Sequence, residues 1–135
     1  MILVDTSAWK ALYDEMEVEQ DRHRLAEQWF STNRDALVTT NYIIDETLTL
    51  FLSKTDYELA VDVGNHLWRE ENARIVRVTE IDEAEAWRVF QRFNQDKDWS
   101  FTDCTSFAVM RRLGVAVAFA FDHHFEQMPG ITRVP

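Results

Sequence analysis

SFTDCTSFAVMRRLGVAVAFAFD, residues 100–122, holds two patterns in one stretch. From about Asp103 the apolar residues fall at helical spacing as far as Leu113, and Gly114 is placed to close the helix. VAVAFAF then runs apolar without a break, as a strand buried on both faces does. A helix leading into such a strand points to a parallel sheet, because parallel neighbours need a crossover between them.

The same alternation recurs on the N-terminal side. ILVD (2–5) reads as a short buried strand, and SAWKALYD (7–14) as a helix that Thr6 or Ser7 can cap. Leu25, Ala26, Trp29 and Phe30 share a helical face within 20–33. ALVT (36–39) is a second strand, and NYIIDETLTLFLSK (41–54) places Ile43, Ile44, Thr47, Leu48, Phe51 and Leu52 on one stripe. Asp56 can cap a helix with Leu59, Val63 and Leu67 four apart, followed by a strand at IVRV (75–78) and a helix over 82–94. After Asp122 come a helical turn, HFEQ (124–127), and an edge strand, ITRV (131–134). The expected architecture is α/β, a mostly parallel sheet of about five strands covered on both faces, with residues 1–135 in one domain.

Binding sites in such sheets form outside the carboxyl ends of the strands. Asp5 and Asp122 end two strands there. Asp103 opens the helix that leads into the second of them, so its end returns to the same edge. Glu46 lies about one turn into the helix after ALVT. Neighbours on a helix diverge by about 100°, so Glu46 turned toward the protein leaves Asp45 outward. Singly, each acid has an ordinary role; Asp103 as a cap would contribute about 0.5–2 kcal/mol. Together, carboxylates a few ångströms apart repel, and a divalent cation removes the conflict. All-oxygen ligation selects a hard ion, Mg²⁺ or Mn²⁺, and suits phosphoryl chemistry.

Composition narrows the classes. There are 24 acids against 14 Lys plus Arg, a net charge of −10, which is unfavourable for generic nucleic-acid binding. Any such role must rest on a local basic rim or on bound cations. At 46% hydrophobic residues, with three glycines and two prolines, the chain is globular and has little room for a flexible linker. The one cysteine, Cys104, cannot form an internal disulfide and fits an inert buried thiol in a reducing, cytoplasmic setting. Met1–Asp5 lacks the features of a signal peptide, and no apolar run approaches the roughly 20 residues of a membrane span. A soluble protein with no membrane association is expected.

VDTSAW (4–9), IIDETLTL (43–50), SFTDCTSFAVMRRLG (100–114) and AFAFDHHFEQMPG (118–130) resemble, in order and spacing, the PIN-domain family and within it the VapC-type toxins. The resemblance implies a PIN-like α/β/α sandwich and a Mg²⁺- or Mn²⁺-dependent ribonuclease site on Asp5, Glu46, Asp103 and Asp122. Asp5, Asp103 and Asp122 would hold the metal, while Glu46 would ligate it or orient the attacking water. The family's small hydroxyl positions fall on Thr6 or Ser7 and on Thr102, the last expected as the N-cap that directs Asp103. An RNA substrate, an antitoxin protein and a homodimer are the implied partners.

Lys10, Lys97, Trp99 and His124 are candidate RNA contacts near the site. An exposed Trp99 can stack on a base, and core packing is its ordinary alternative. His123 and His124 can contact phosphate or pack the terminal turn; Arg111 and Arg112 are possible phosphate contacts too, with ordinary solvated charge as their preferred reading. Trp29, Phe30, Tyr42, Phe51, Leu52 and Trp68 are many large apolar groups for this size, which suggests a dimer face or an antitoxin groove. Three rivals remain. A phosphatase or phosphoacceptor is disfavoured because Ser7 stands where a second acid is wanted. The others are a binding module without turnover and a DNA nuclease on the same fold.

Overall fold

Strand β1 (Ile2–Val4) is buried along its whole length and lies at the centre of a five-stranded sheet. The computed structural model describes residues 1–135 apart from Val18 and Gln20. Helices α1 (Thr6–Tyr13) and α2 (Arg22–Thr32) lead from β1 to β2 (Leu37–Thr40) at its side. Next, α3 (Asn41–Lys54) and α4 (Tyr57–Trp68) lead to β3 (Arg74–Val76) at one edge. The chain then returns through α5 (Glu80–Phe93) and α6 (Phe101–Leu113) to β4 (Val117–Phe119), on the other side of β1. A 3₁₀ turn (His123–Gln127) and β5 (Thr132–Val134) complete the sheet.

The order is β3–β2–β1–β4–β5, and every pairing is parallel. The strand order therefore reverses between β1 and β4, where an open parallel sheet leaves a crevice at its carboxyl edge. Asp5 and Asp122 are carried there by the two strands that flank it. Leu3, Val4, Val38 and Phe119 are fully buried in the sheet, with Trp9, Ile43, Phe51 and Met110 packed on from the helices. The Trp9 indole N–H donates to Thr39 Oγ1 (3.2 Å), which donates to the Val4 carbonyl (3.1 Å), so the polar atoms among these residues are paired.

Several local expectations shift. Asp5 itself caps α1 by accepting from the Ser7 amide, because a β-conformation acid at the strand end already faces that amide; Thr6 and Ser7 lie inside the helix. Helix α6 begins at Phe101 under Ser100, not under Thr102. Helix α5 begins before Asp82, capped by Thr79, and Asp82 closes the capping box from inside. Of the helix expected over 20–33, Gln20 lies outside the described residues. Leu52 is 58% exposed, off the buried stripe of Ile43, Ile44, Thr47 and Phe51. Gly114 closes α6 in the left-handed conformation, φ 69°, as expected.

Arg112 is not an ordinary solvated charge. Its guanidinium donates from Nε (2.9 Å) and from a terminal nitrogen (2.8 Å) to the two oxygens of buried Asp82, tying the start of α5 to the end of α6. Hydrogen bonds from Arg112, and then those from Thr79, outweigh burial and hold the Asp82 carboxyl below its usual range. Arg112→Ala is expected to cost about 2 kcal/mol in urea unfolding near pH 7, less than a fully buried pair because the guanidinium is partly solvated. No helix among the described residues is long and apolar enough to cross a membrane.

Candidate active site

Asp5 leaves β1 with its side chain turned back over the first turn of α1. Its Oδ2 accepts from the Ser7 amide (3.1 Å) and hydroxyl (2.7 Å), and its Oδ1 is buried without a hydrogen-bond partner. Ser7 Oγ in turn accepts from the amides of Phe121 (2.9 Å) and Asp122 (3.2 Å). One hydroxyl thus joins the acid after β1 to the backbone after β4, across the reversal in strand order.

Asp103 arrives by a different device. Ser100 and Asp103 form a reciprocal capping box, the Asp103 amide donating to Ser100 Oγ (3.0 Å) and the Ser100 amide to Asp103 Oδ2 (2.9 Å). The S-x-x-D spacing signals this in the sequence, and the Thr102 assignment missed it. Ser100 Oγ also approaches Glu46 Oε2 (3.5 Å), and the nearby hydroxyls of Thr6 and Thr102 act against the rise that burial imposes on the Glu46 pKa. Thr102 therefore belongs to the surroundings of Glu46 and is not the cap of α6. Thr6 is further fixed by Thr47, whose hydroxyl donates to the Ile43 carbonyl (2.7 Å) and lies 3.2 Å from Thr6 Oγ1. Glu46 turns inward and Asp45 outward, as helical geometry requires.

Three of the four acids meet in one small depression. Asp5, Thr6, Ser7, Glu46 and Asp122 line it, with Asp103 close enough to raise the pKa of Asp5 and Glu46. Burial first, then the charges of Asp103 and Glu46, push Asp5 from 3.8 up to about 7 against the two Ser7 hydrogen bonds. Burial also raises Glu46 and Asp103, the latter with Asp122 adding to it.

His124 closes this cluster from the 3₁₀ turn. Its amide donates to Asp122 Oδ1 (2.9 Å), and its Nδ1 lies 2.9 Å from Asp103 Oδ2 and 3.2 Å from Asp122 Oδ1. Burial opposes the imidazolium, but Asp122 and Asp103 outweigh it and raise the His124 pKa. Nε2 faces Asp98 Oδ1 (3.0 Å), an acid that periodicity could not single out because it sits in a loop. His123 is largely exposed.

The residues present suit a hard divalent cation. The orphaned Asp5 Oδ1 is an acceptor with no donor, and the acids around it offer oxygen only. Ligand atoms of Asp103, Asp122 and His124 also lie within 4.8 Å of one another. Cys104 takes no part: it is buried, and burial with Asp103 nearby pushes its thiol up to about 11.

A model of the PIN domain matches residues 2–131. The chain belongs to the PIN-domain family. Among curated proteins it is 34% identical, over 125 residues, to the 23S rRNA-specific endonuclease VapC20 of Mycobacterium tuberculosis, covering 93% of this chain and 92% of that one. The crystal structure of VapC20, described as a sarcin–ricin loop cleaving toxin, superposes with a TM-score of 0.87 at 32% identity over 96% of this chain and 95% of that one. VapBC2 of Rickettsia felis, solved bound to a promoter DNA fragment, shares the fold alone, with a TM-score of 0.69 at 9% identity over 99% of this chain and 98% of that one. The parallel α/β sandwich of this PIN domain is thus the one expected.

Of the candidate RNA contacts, Trp99 is corrected. It is 2% exposed, packs on Phe93 and Phe107, and donates its indole N–H to Gln127 Oε1 (2.8 Å), so no ring face is free for a base. Lys10 is held by Asp14 (2.6 Å) and Glu17 (3.3 Å). Lys97 pairs with Asp96 (3.1 Å) and lies over the Trp99 ring.

Proposed function

We propose that this PIN domain is a metal-dependent endoribonuclease and the toxin of a toxin–antitoxin pair. The observation that carries the reading is Asp5: a buried carboxylate with one unpartnered oxygen, set among three further acids at the reversal in strand order. Similarity to VapC20, named for its action on 23S rRNA, supports RNA as the substrate class.

In this reading Asp5, Asp103 and Asp122 hold Mg²⁺ or Mn²⁺, and Glu46 completes the set or orients the attacking water. The cation supplies charge stabilisation at the phosphate and a lowered pKa for water. The chain's own groups do the rest. Ser7 fixes the direction of Asp5 relative to Asp122, and Ser100 holds Asp103 through the reciprocal capping box. Ser100 also reaches Glu46, with Thr6 and Thr102 nearby, and His124 holds the outer side of Asp103 and Asp122. The reaction is attack of water on a phosphodiester, with loss of the 3′ oxygen of the preceding nucleotide.

An antitoxin and a second copy of the chain are the proposed protein partners, in the cytoplasm, where a free thiol such as Cys104 persists. The groove between α3 and α4 lined by exposed Leu52, Tyr57, Val61 and Trp68 is the apolar surface offered to them.

The test is cleavage of ribosomal RNA and of a DNA strand of matching sequence, with Mg²⁺, Mn²⁺ or EDTA. The reading requires RNA to be cut, DNA to be spared, and EDTA to stop the reaction. A folded protein that binds RNA without cutting it under any of these conditions would make the chain a binding module.

A further inference from the structure

The chain is strongly acidic, yet one groove on it is not. A cleft of about 680 Å³ between α5 and the last turn of α6 is lined by Arg88, Arg92 and Arg111, with Glu85 as its one acid. Three guanidinium groups on one carboxylate reverse the balance of a molecule with 24 acids and 14 basic residues. Glu85 pairs with Arg88 on one oxygen and with Arg111 on the other (3.5 Å), so it sets two guanidinium groups side by side while cancelling one charge. Arg88 and Arg111 are 75% and 60% exposed, leaving their remaining donors open to a ligand. Arg92 lies over the ring of Phe93, and Arg111 over that of Phe107.

One end of the groove, at Phe93, lies toward the segment that leads into the acidic edge. Helices α5 and α6 pack antiparallel: Asp82 meets Arg112 at one end, and Phe90 and Phe93 meet Phe101 and Trp99 at the other. Phe93, which lines the groove, packs tilted against Trp99, and Lys97 also lies over that ring. Ser100, the next residue, caps Asp103 and approaches Glu46. The three arginines thus lie on α5 and α6, the helices joined by the segment that carries Ser100 into the acidic edge.

We propose that the α5–α6 groove binds the phosphate backbone of the RNA flanking the cleaved bond, with Arg88, Arg92 and Arg111 as the phosphate contacts. This rests on the ribonuclease reading and answers the charge problem that reading raises. Guanidinium forks suit phosphate oxygens and carry no sequence preference, so the groove adds affinity and register, and target choice lies elsewhere. Glu85 spaces the forks in the free protein and opposes the incoming anion.

The experiment compares wild type with Arg88→Ala/Arg92→Ala/Arg111→Ala, the corresponding triple lysine variant, and Glu85→Gln. Steady-state cleavage of ribosomal RNA is read with Mg²⁺ or Mn²⁺. Binding of a fluorescein-labelled single-stranded oligoribonucleotide is read in EDTA across a salt series, and thermal unfolding checks each fold. The alanine variant is expected to raise KM about thirtyfold, with kcat changed by less than about threefold, and to flatten the log–log salt dependence of binding by about two. The lysine variant restores most of the salt slope, and Glu85→Gln tightens binding about threefold, the opposite of what loss of a merely structural ion pair does. A cleaving alanine variant with the wild-type KM and salt slope overturns the groove and leaves the nuclease reading standing. A folded wild type that neither cuts nor binds RNA overturns both.

Discussion

Asp103→Asn is expected to lower the rate of RNA cleavage about a thousandfold or more while the protein keeps its fold. Asparagine is close in shape, and its side-chain oxygen can still accept from the Ser100 amide, so the capping box and the start of α6 survive. What disappears is the negative charge that faces Asp5, Glu46 and Asp122. Single-turnover cleavage under saturating Mn²⁺, beside a urea unfolding curve, separates the two effects. A variant within tenfold of wild type would place the chemistry away from this edge.

The second large effect is on stability and depends on pH. Asp5 has a folded pKa of about 7 against an ordinary value of 3.8, raised first by burial and then by Asp103 and Glu46. Its folded value lies above its unfolded one, so between about pH 4 and 7 the native state keeps a proton that the unfolded chain releases. The stability this group contributes is therefore fully present below about pH 4 and lost as pH rises to about 7, by at most about 4 kcal/mol. Without divalent ions, Asp5→Asn should be more stable than wild type at about pH 8 and close to it at about pH 4.5. Saturating Mg²⁺ or Mn²⁺ should close the gap at the higher pH by stabilising wild type alone. Urea unfolding at the two pH values, with and without metal, checks it; a variant less stable than wild type at both, without metal, would contradict the account.

The meeting of the acids was legible in the sequence because it follows from topology. A residue that ends a strand and a residue that starts the helix leading to a parallel strand must share an edge, and this places Asp5, Asp103 and Asp122 without any side-chain detail. Glu46 followed from helical period, since its inward turn and the outward turn of Asp45 are set by about 100° per residue. Caps were harder. Ser100 and Thr102, like Asp5, Thr6 and Ser7, are adjacent groups that each satisfy the local rule, and backbone angles at the boundary decide between them.

Trp99 lies in a loop without periodicity, so burial beneath Phe93 and Gln127 was decided by tertiary packing alone. The arginine groove was illegible for a related reason. Arg88 and Arg92 are four apart on α5, but Arg111 joins them only through the packing of α6. Likewise Ser7, which accepts two amides from the far side of the sheet, looks from the sequence like any serine near a helix start.

The central claim is that these acids direct water onto an RNA phosphodiester, and the chemistry of the cut ends tests it most directly. Ribosomal RNA cleaved with Mg²⁺ or Mn²⁺ would be examined at each new terminus by phosphatase sensitivity, ligation and mass spectrometry. Attack by water with loss of the 3′ oxygen leaves a 5′-phosphate and a free 3′-hydroxyl, and that pair is the expected result. A 2′,3′-cyclic phosphate beside a 5′-hydroxyl, formed equally well in EDTA, would mean that the RNA's own 2′-hydroxyl is the nucleophile and would contradict the account.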